Sequence, residues 1–163
     1  MTETTARGWT ITTPTAPLSV VTDGDVVIAS GFGDLEEIAD WVGVEVERTE
    51  PTGAVADAVR EYLAGQLDAL DEVEVRQSGG PFSQDAWRVM REIPAGQTWS
   101  YRDLATKAGR PDAVRAAGTA CGRNRVAPFV PCHRVVRSDG SLGGYAYGLD
   151  VKRWLLAHEG VKA

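Results

Sequence analysis

A chain of 163 residues that is 43% hydrophobic, 25% charged and 7% aromatic has room for one globular domain or two small ones. That balance excludes a disordered chain, a collagen-like fibre and a coiled coil, and no apolar run is long enough to cross a membrane. The net charge of −6 is unevenly spread: residues 1–80 carry 4 basic and 16 acidic side chains, a net −12, and residues 81–163 carry 13 and 7, a net +6.

Met1 to Arg7 includes an acid and no apolar stretch, unlike a secretory signal. Two cysteines cannot build a disulfide framework, so a reducing cytoplasm is the expected compartment. Trp9 to Thr13 reads as a strand ending at Pro14. Pro17–Thr22 and Val26–Ser30 read as two more, joined by the hairpin turn Asp23-Gly24-Asp25. Asp34 to Val42 reads as a helix capped by Asp34, with Leu35, Ile38, Ala39 and Val42 on one face. Pro51 to Leu70 is a second helix, since Val55, Val59, Tyr62, Leu63 and Leu67 recur at helical spacing. Val73-Glu74-Val75 is a candidate last strand, and Ser78-Gly79-Gly80-Pro81 a linker where the charge changes sign.

The basic half reads as mostly helical. Ser83 is a candidate cap for a helix to Glu92, ended by Pro94 and Gly96. Ser100 and Asp103 form a capping-box pattern opening a helix from Tyr101 to Ala108, stopped by Gly109. Asp112 is a candidate cap for a further helix, Ala113 to Cys121. Two short helices so joined make a helix-turn-helix pattern. The second is small-sided with one projecting arginine, Arg115, which fits close approach of a bulky surface or tight core packing. The basic half is suited to a polyanion, although charged residues covering solvated faces give the same pattern.

The densest chemical signal is Val130-Pro131-Cys132-His133-Arg134-Val135. A thiol becomes a good nucleophile when ionised, and His133, Arg134 and Arg137 are possible positive neighbours. A water could relay the proton between Cys132 and His133. An acid orients such a histidine best; Asp139, Asp150 and Glu159 follow in the chain, and spacing does not choose among them. Cys121, in an alanine-rich helix, reads as a small buried hydrophobe.

Pro131-Cys132-His133-Arg134-Val135 resembles the active-site motif of the O6-alkylguanine-DNA alkyltransferases (methylated-DNA–protein-cysteine methyltransferases). Ser100-Tyr101, Arg115-Ala116-Ala117-Gly118, Asn124, Gly144 to Gly148 and Lys152-Arg153-Trp154-Leu155-Leu156-Ala157-His158-Glu159 also fall at that family's spacings. The similarity is continuous over residues 82–160 and loose before residue 80. It implies an acidic α/β N-terminal domain, residues 1–78, resembling a ribonuclease H core with a small antiparallel sheet plus helices. A mostly α-helical DNA-binding and alkyl-acceptor domain, residues 79–163, follows, with a winged-helix-like helix-turn-helix.

The resemblance implies repair of O6-alkylguanine in double-stranded DNA, mainly O6-methylguanine, by irreversible transfer to Cys132, one turnover per molecule and without a cofactor. The family binds the minor groove with little sequence preference and flips the damaged guanine out. Arg115 would fill the vacated space. Ala113, Val114, Ala116, Gly118 and Arg123 would face DNA with Tyr101, which would press on the 3′ phosphate and protonate the leaving guanine. His133 would take the thiol proton through water, oriented by Glu159, and Asn124 would brace the cysteine turn. Carbonyls at Cys132 and Val135 and the Tyr145 amide would read the guanine edge, with Ala146 beside O6. A monomer is expected, and cooperativity on DNA stays open.

Departures from the family pattern are Arg125 where many members have proline, Ala127 followed by Pro128, and Tyr147 at a site that is often glycine. Arg125 adds charge near the active-site turn, and a ring at 147 should narrow the pocket and disfavour O6-benzylguanine. The zinc site of some relatives is not expected: no cysteine precedes Cys121 and no histidine precedes His133. Two other readings compete: a helix-turn-helix sensor of alkylated DNA that does not repair it, and an unrelated thiol hydrolase using Cys132 and His133. The sensor relatives replace the nucleophile, so Cys132 weighs against the first. The second needs an oxyanion hole for which there is no signature.

Overall fold

The computed structural model describes residues 6–43 and 45–161 and divides into two compact units. The first comprises residues up to Gln77 and, across a gap in sequence, Arg125–Phe129; the second comprises Ser78–Asn124 and the chain from Val130 onward. The helical region is thus interrupted by five residues that pack with the α/β unit.

In the first unit, β1 (Ala6–Ile11), β2 (Leu18–Asp23), β3 (Val26–Phe32) and β4 (Val46–Arg48) form a sheet in the order β3-β2-β1-β4. Gly24, at φ +61, takes the first position of the two-residue turn between β2 and β3. The sheet is mixed rather than antiparallel, because β4 runs parallel to β1. Three residues in an acidic stretch carry too little alternation to announce β4. Val73–Val75 is also less than a strand: Val75 makes one parallel bridge to Val27. The helix α1 (Leu35–Ala39) is shorter than expected, and Asp34 caps it without a side-chain hydrogen bond. Leu35 and Ile38 pack on Ala6, Val21 and Ala29. The helix α2 (Ala54–Leu63) stops well before Leu70 because Gly65 turns the chain at φ +112.

In the second unit, α3 (Pro81–Met90) begins at its proline, which has no N–H to satisfy at a helix start, so Ser83 lies inside the helix and does not cap it. The predicted capping box is present: Asp103 N donates to Ser100 Oγ at 3.0 Å and Ser100 N to Asp103 Oδ2 at 3.1 Å. It opens α4 (Tyr101–Lys107). The helix α5 (Val114–Gly122) is capped by Ala113, with Asp112 in the preceding turn. Trp87 Nε1 donates to the Ala120 carbonyl at 2.8 Å, tying α3 to α5. Two short strands, β5 (Trp99–Ser100) and β6 (Val135–Val136), pair in parallel; a single 3₁₀ turn, Cys132–Arg134, leads directly into β6, and α6 (Leu149–His158) closes the unit.

Candidate active site

The cysteine turn is built by local chemistry. Pro131 sits at φ −84°, ψ 65°, the centre of an inverse γ-turn, and Cys132 N donates to the Val130 carbonyl at 2.9 Å. Asn124 Nδ2 donates to the same carbonyl at 2.8 Å, joining the end of α5 to the turn. Cys132 lines a cavity of about 270 Å³, at the small end of ligand pockets. The cavity walls include Tyr101, Gly118, Asn124, Tyr145, Ala146 and Tyr147, so these predicted site residues come together. Tyr145 and Tyr147 meet edge to face with ring centres 5.4 Å apart. Gly143, at φ +72, lies where a Cβ would come 2.8 Å from the Tyr101 hydroxyl, so only glycine lets the loop pass that phenol.

Behind the cysteine, His133 and Glu159 are both buried, with His133 Nε2 donating to Glu159 Oε2 at 2.9 Å. Of the three acids after Cys132, the fold selects Glu159. With Nε2 carrying the proton, Nδ1 holds the ring's basic lone pair, and it makes no hydrogen bond to the described residues. Burial lowers the His133 pKa; Glu159 opposes that shift without overcoming it. Burial alone would raise the Glu159 carboxyl, but His133 and Arg134 outweigh it and hold it well below the usual carboxylate range.

The expected cationic neighbours of Cys132 are differently placed. Arg134 turns away and grips Glu159 through Nε to Oε1 at 2.8 Å and Nη2 to Oε2 at 3.0 Å, while Nη1 donates to the Ile93 carbonyl at 2.6 Å. His133 is kept neutral and Arg137 is exposed. Burial pushes the Cys132 thiol up, against the Asn124 hydrogen bond and the charge of Lys152. The resting group is therefore a thiol at neutral pH. Burial and the two cysteines push the Tyr101 phenol to about 12, so it stays a donor at neutral pH.

Sequence reasoning gave no role to Lys152 or to the Arg134–Glu159 pair. Lys152 is buried, and its Nζ donates to the carbonyls of Val135 (2.9 Å), Leu142 and Gly144 (3.3 Å). The only signal for it was a lysine inside an otherwise apolar helix face. Val135 itself lies outside the cavity lining. Cys121 is half-buried and lines the cavity, rather than being a core filler. Arg115, Ala116 and Arg123 are exposed on or at the end of α5, and Ala113 and Val114 are half-buried at its start. Arg125 points within the first unit and lies over Trp41, 5.7 Å from the ring centre, rather than lending charge to the cysteine turn. Among the described residues no group of three or more His, Cys, Asp or Glu is placed to hold a metal ion.

Two short helices in a helix-turn-helix arrangement, a cavity with a cysteine on its wall and a buried His–Glu pair are the features of a nucleic-acid-binding protein with a cysteine at its site. The family model of the 6-O-methylguanine DNA methyltransferase DNA-binding domain matches residues 81–161. The methylated-DNA–protein-cysteine methyltransferase of Shigella flexneri is 44% identical over 115 residues, 71% of this chain and 67% of that protein. The one from Methanosarcina barkeri is 39% identical over 125 residues, 77% and 76% of the two chains. The Mycobacterium tuberculosis OGT solved in complex with DNA superposes with a TM-score of 0.80 at 35% identity, covering 94% of this chain and 92% of that one. The chain belongs to the methylated-DNA–protein-cysteine methyltransferase family.

Proposed function

We propose that this protein repairs O6-alkylguanine in DNA, chiefly O6-methylguanine, by moving the alkyl group irreversibly onto Cys132. The observation that carries the reading is the order of groups behind the cavity: Cys132 on its wall, His133 with Nδ1 unengaged, and Glu159 fixed to Nε2 at 2.9 Å. His133 takes the Sγ proton through a bridging water, and Glu159 stabilises the imidazolium formed. The thiolate attacks the alkyl carbon, the carbon–O6 bond breaks with its electron pair passing to the purine, and Tyr101 donates its phenolic proton to the leaving guanine, the phenolate then recovering one from solvent. The thioether does not turn over, so each molecule acts once, and no step calls for a cofactor.

DNA is the partner. The finer reading is that α4 and α5 lie along the minor groove, where small side chains allow close approach. The target base is flipped into the cavity and Arg115 fills the gap it leaves. Phosphate contacts from the basic helical unit carry little sequence information and make binding weak in salt. The expected split at residues 78/79 gives way to the two units above: the one ending at Gln77 and including 125–129 is a supporting ribonuclease H-like part, and the other a winged-helix-like acceptor part, acting as a cytoplasmic monomer. The alternative of a non-repairing sensor is not favoured, since the relatives above carry the name methyltransferase.

The test is intact and peptide mass spectrometry after incubation with duplex DNA holding one O6-methylguanine. One methyl on the Cys132 peptide, saturating at one per protein and absent in Cys132→Ser, is the expected result. DNA binding with no adduct, or an adduct on Cys121, refutes the assignment.

A further inference from the structure

One hydrogen bond, Asn124 Nδ2 to the Val130 carbonyl, brackets the five residues that lead into the cysteine turn. The five residues between those partners, Arg125–Phe129, belong to the first unit, where they are held by bonds internal to it. Ser30 N donates to the Arg125 carbonyl at 2.8 Å, and Ser30 Oγ to the Ala127 carbonyl at 2.7 Å. Val126 forms a parallel bridge with Ser30, extending the edge of β3. Arg125 N donates to Gln77 Oε1 at 2.9 Å, and the Arg125 guanidinium lies over Trp41. Ser30 and residues 126–129 are buried.

From this arrangement we infer that Ser30 and Gln77 are positioning residues for the acceptor cysteine: they hold the strap 125–129, whose two ends continue directly into Asn124 and Val130. The inference rests on the reading of Cys132 as alkyl acceptor. It gives the acidic unit a part in the chemistry that does not depend on contact with DNA. The physical reason is that a five-residue link has few conformations. Fixing three of its backbone polar groups fixes where both ends emerge, and with them the carbonyl that Cys132 N and Asn124 share. Ser30 is well suited to this because one residue engages the strap through both its amide and its hydroxyl. The arginine that replaces the family's usual proline after Asn124 keeps an N–H, and that N–H is the one Gln77 accepts.

The experiment is single-turnover methyl transfer from duplex O6-methylguanine at saturating protein, with DNA affinity measured separately, on the full chain and four variants. Methyl transfer to Cys132 in the unaltered chain is the control; its failure refutes the acceptor assignment and is distinct from failure of the strap. Ser30→Ala and Gln77→Leu are expected to slow transfer about tenfold, because sub-ångström misplacement of a nucleophile is costly, while DNA affinity stays within about twofold. Gln77→Glu, which keeps the acceptor oxygen, is expected to restore the rate. Thr10→Ala, on β1 away from the strap, is expected to leave it unchanged. Rates are read well below each variant's melting temperature, so a role confined to stability does not move them. If Ser30→Ala fails to fold, the half-exposed Gln77 pair decides. Wild-type rates in folded Ser30→Ala or in Gln77→Leu, or equal slowing in Gln77→Leu and Gln77→Glu, overturn the inference.

Discussion

Replacing Arg134 by methionine tests how the buried charges behind the cysteine are balanced. Arg134 is 4% exposed, and its guanidinium donates three hydrogen bonds, two to Glu159 and one to Ile93. Methionine keeps much of the stem volume and removes all three donors. Breaking one side of a buried ion pair costs about 3–5 kcal/mol, because the remaining charge stays desolvated. The orphaned Ile93 carbonyl lies at the edge of that range, so a loss of about 4 kcal/mol is expected. For a chain of this size, that corresponds to a fall in melting temperature of roughly 10 °C. The double variant Arg134→Met/Glu159→Leu leaves neither charge of the pair buried and should regain at least about 2 kcal/mol, since apolar replacement of a whole buried pair is often neutral or better. Alkyl transfer should not recover with stability, because His133 has lost the group that orients it. Urea or thermal denaturation followed by circular dichroism, with methyl transfer on the same samples, reads both quantities. An Arg134→Met chain within about 1 kcal/mol of the parent refutes the account of the charge balance. A double variant that regains full transfer refutes the role given to Glu159.

Acidification should destabilise the protein in two stages, read by denaturation across pH. His133 has a depressed folded pKa, so stability falls once the unfolded chain begins to bind that proton below its ordinary 6.5. Glu159, held low in the fold, contributes stability that is present above its ordinary 4.5 and is lost as pH falls further. Glu159→Gln removes the group that raises the His133 pKa, so the acid limb of the transfer profile should move to lower pH while the plateau rate falls. Tyr147→Gly should speed reaction with O6-benzylguanine relative to O6-methylguanine by opening the aromatic wall; efficient benzyl transfer by the unaltered chain refutes that reading. Ser100→Ala removes the hydroxyl half of the capping box on α4, leaving the backbone N–H to Asp103, and should cost about 1 kcal/mol in chemical denaturation. Arg115→Ala should slow repair of duplex DNA while leaving reaction with free O6-methylguanine base unchanged.

Features determined by a few neighbouring residues were legible in the sequence. The Asp23-Gly24-Asp25 turn, the Ser100–Asp103 capping box, and Pro131 ahead of Cys132 each act within a few bonds of the chain, where proline geometry and capping chemistry leave little choice. The cysteine on the cavity wall, the histidine beside it and the pair of short helices α4 and α5 were readable for the same reason. Helix limits were less so, because Pro81 and Gly65 competed with stronger-looking caps and apolar spacing. Tertiary structure alone decided the rest. Choosing Glu159 over Asp139 and Asp150 required α6 to return to the cysteine turn, and no local pattern encodes that approach. Arg134 looked like a cation for the thiol until burial brought it a carboxylate and a carbonyl to satisfy. Lys152 found three carbonyls contributed by two segments, β6 and the loop at 142–144. The parallel β4 and the strap Arg125–Phe129 on β3 are pairings between residues far apart in the chain, set by which backbone edges remain free once the core has closed.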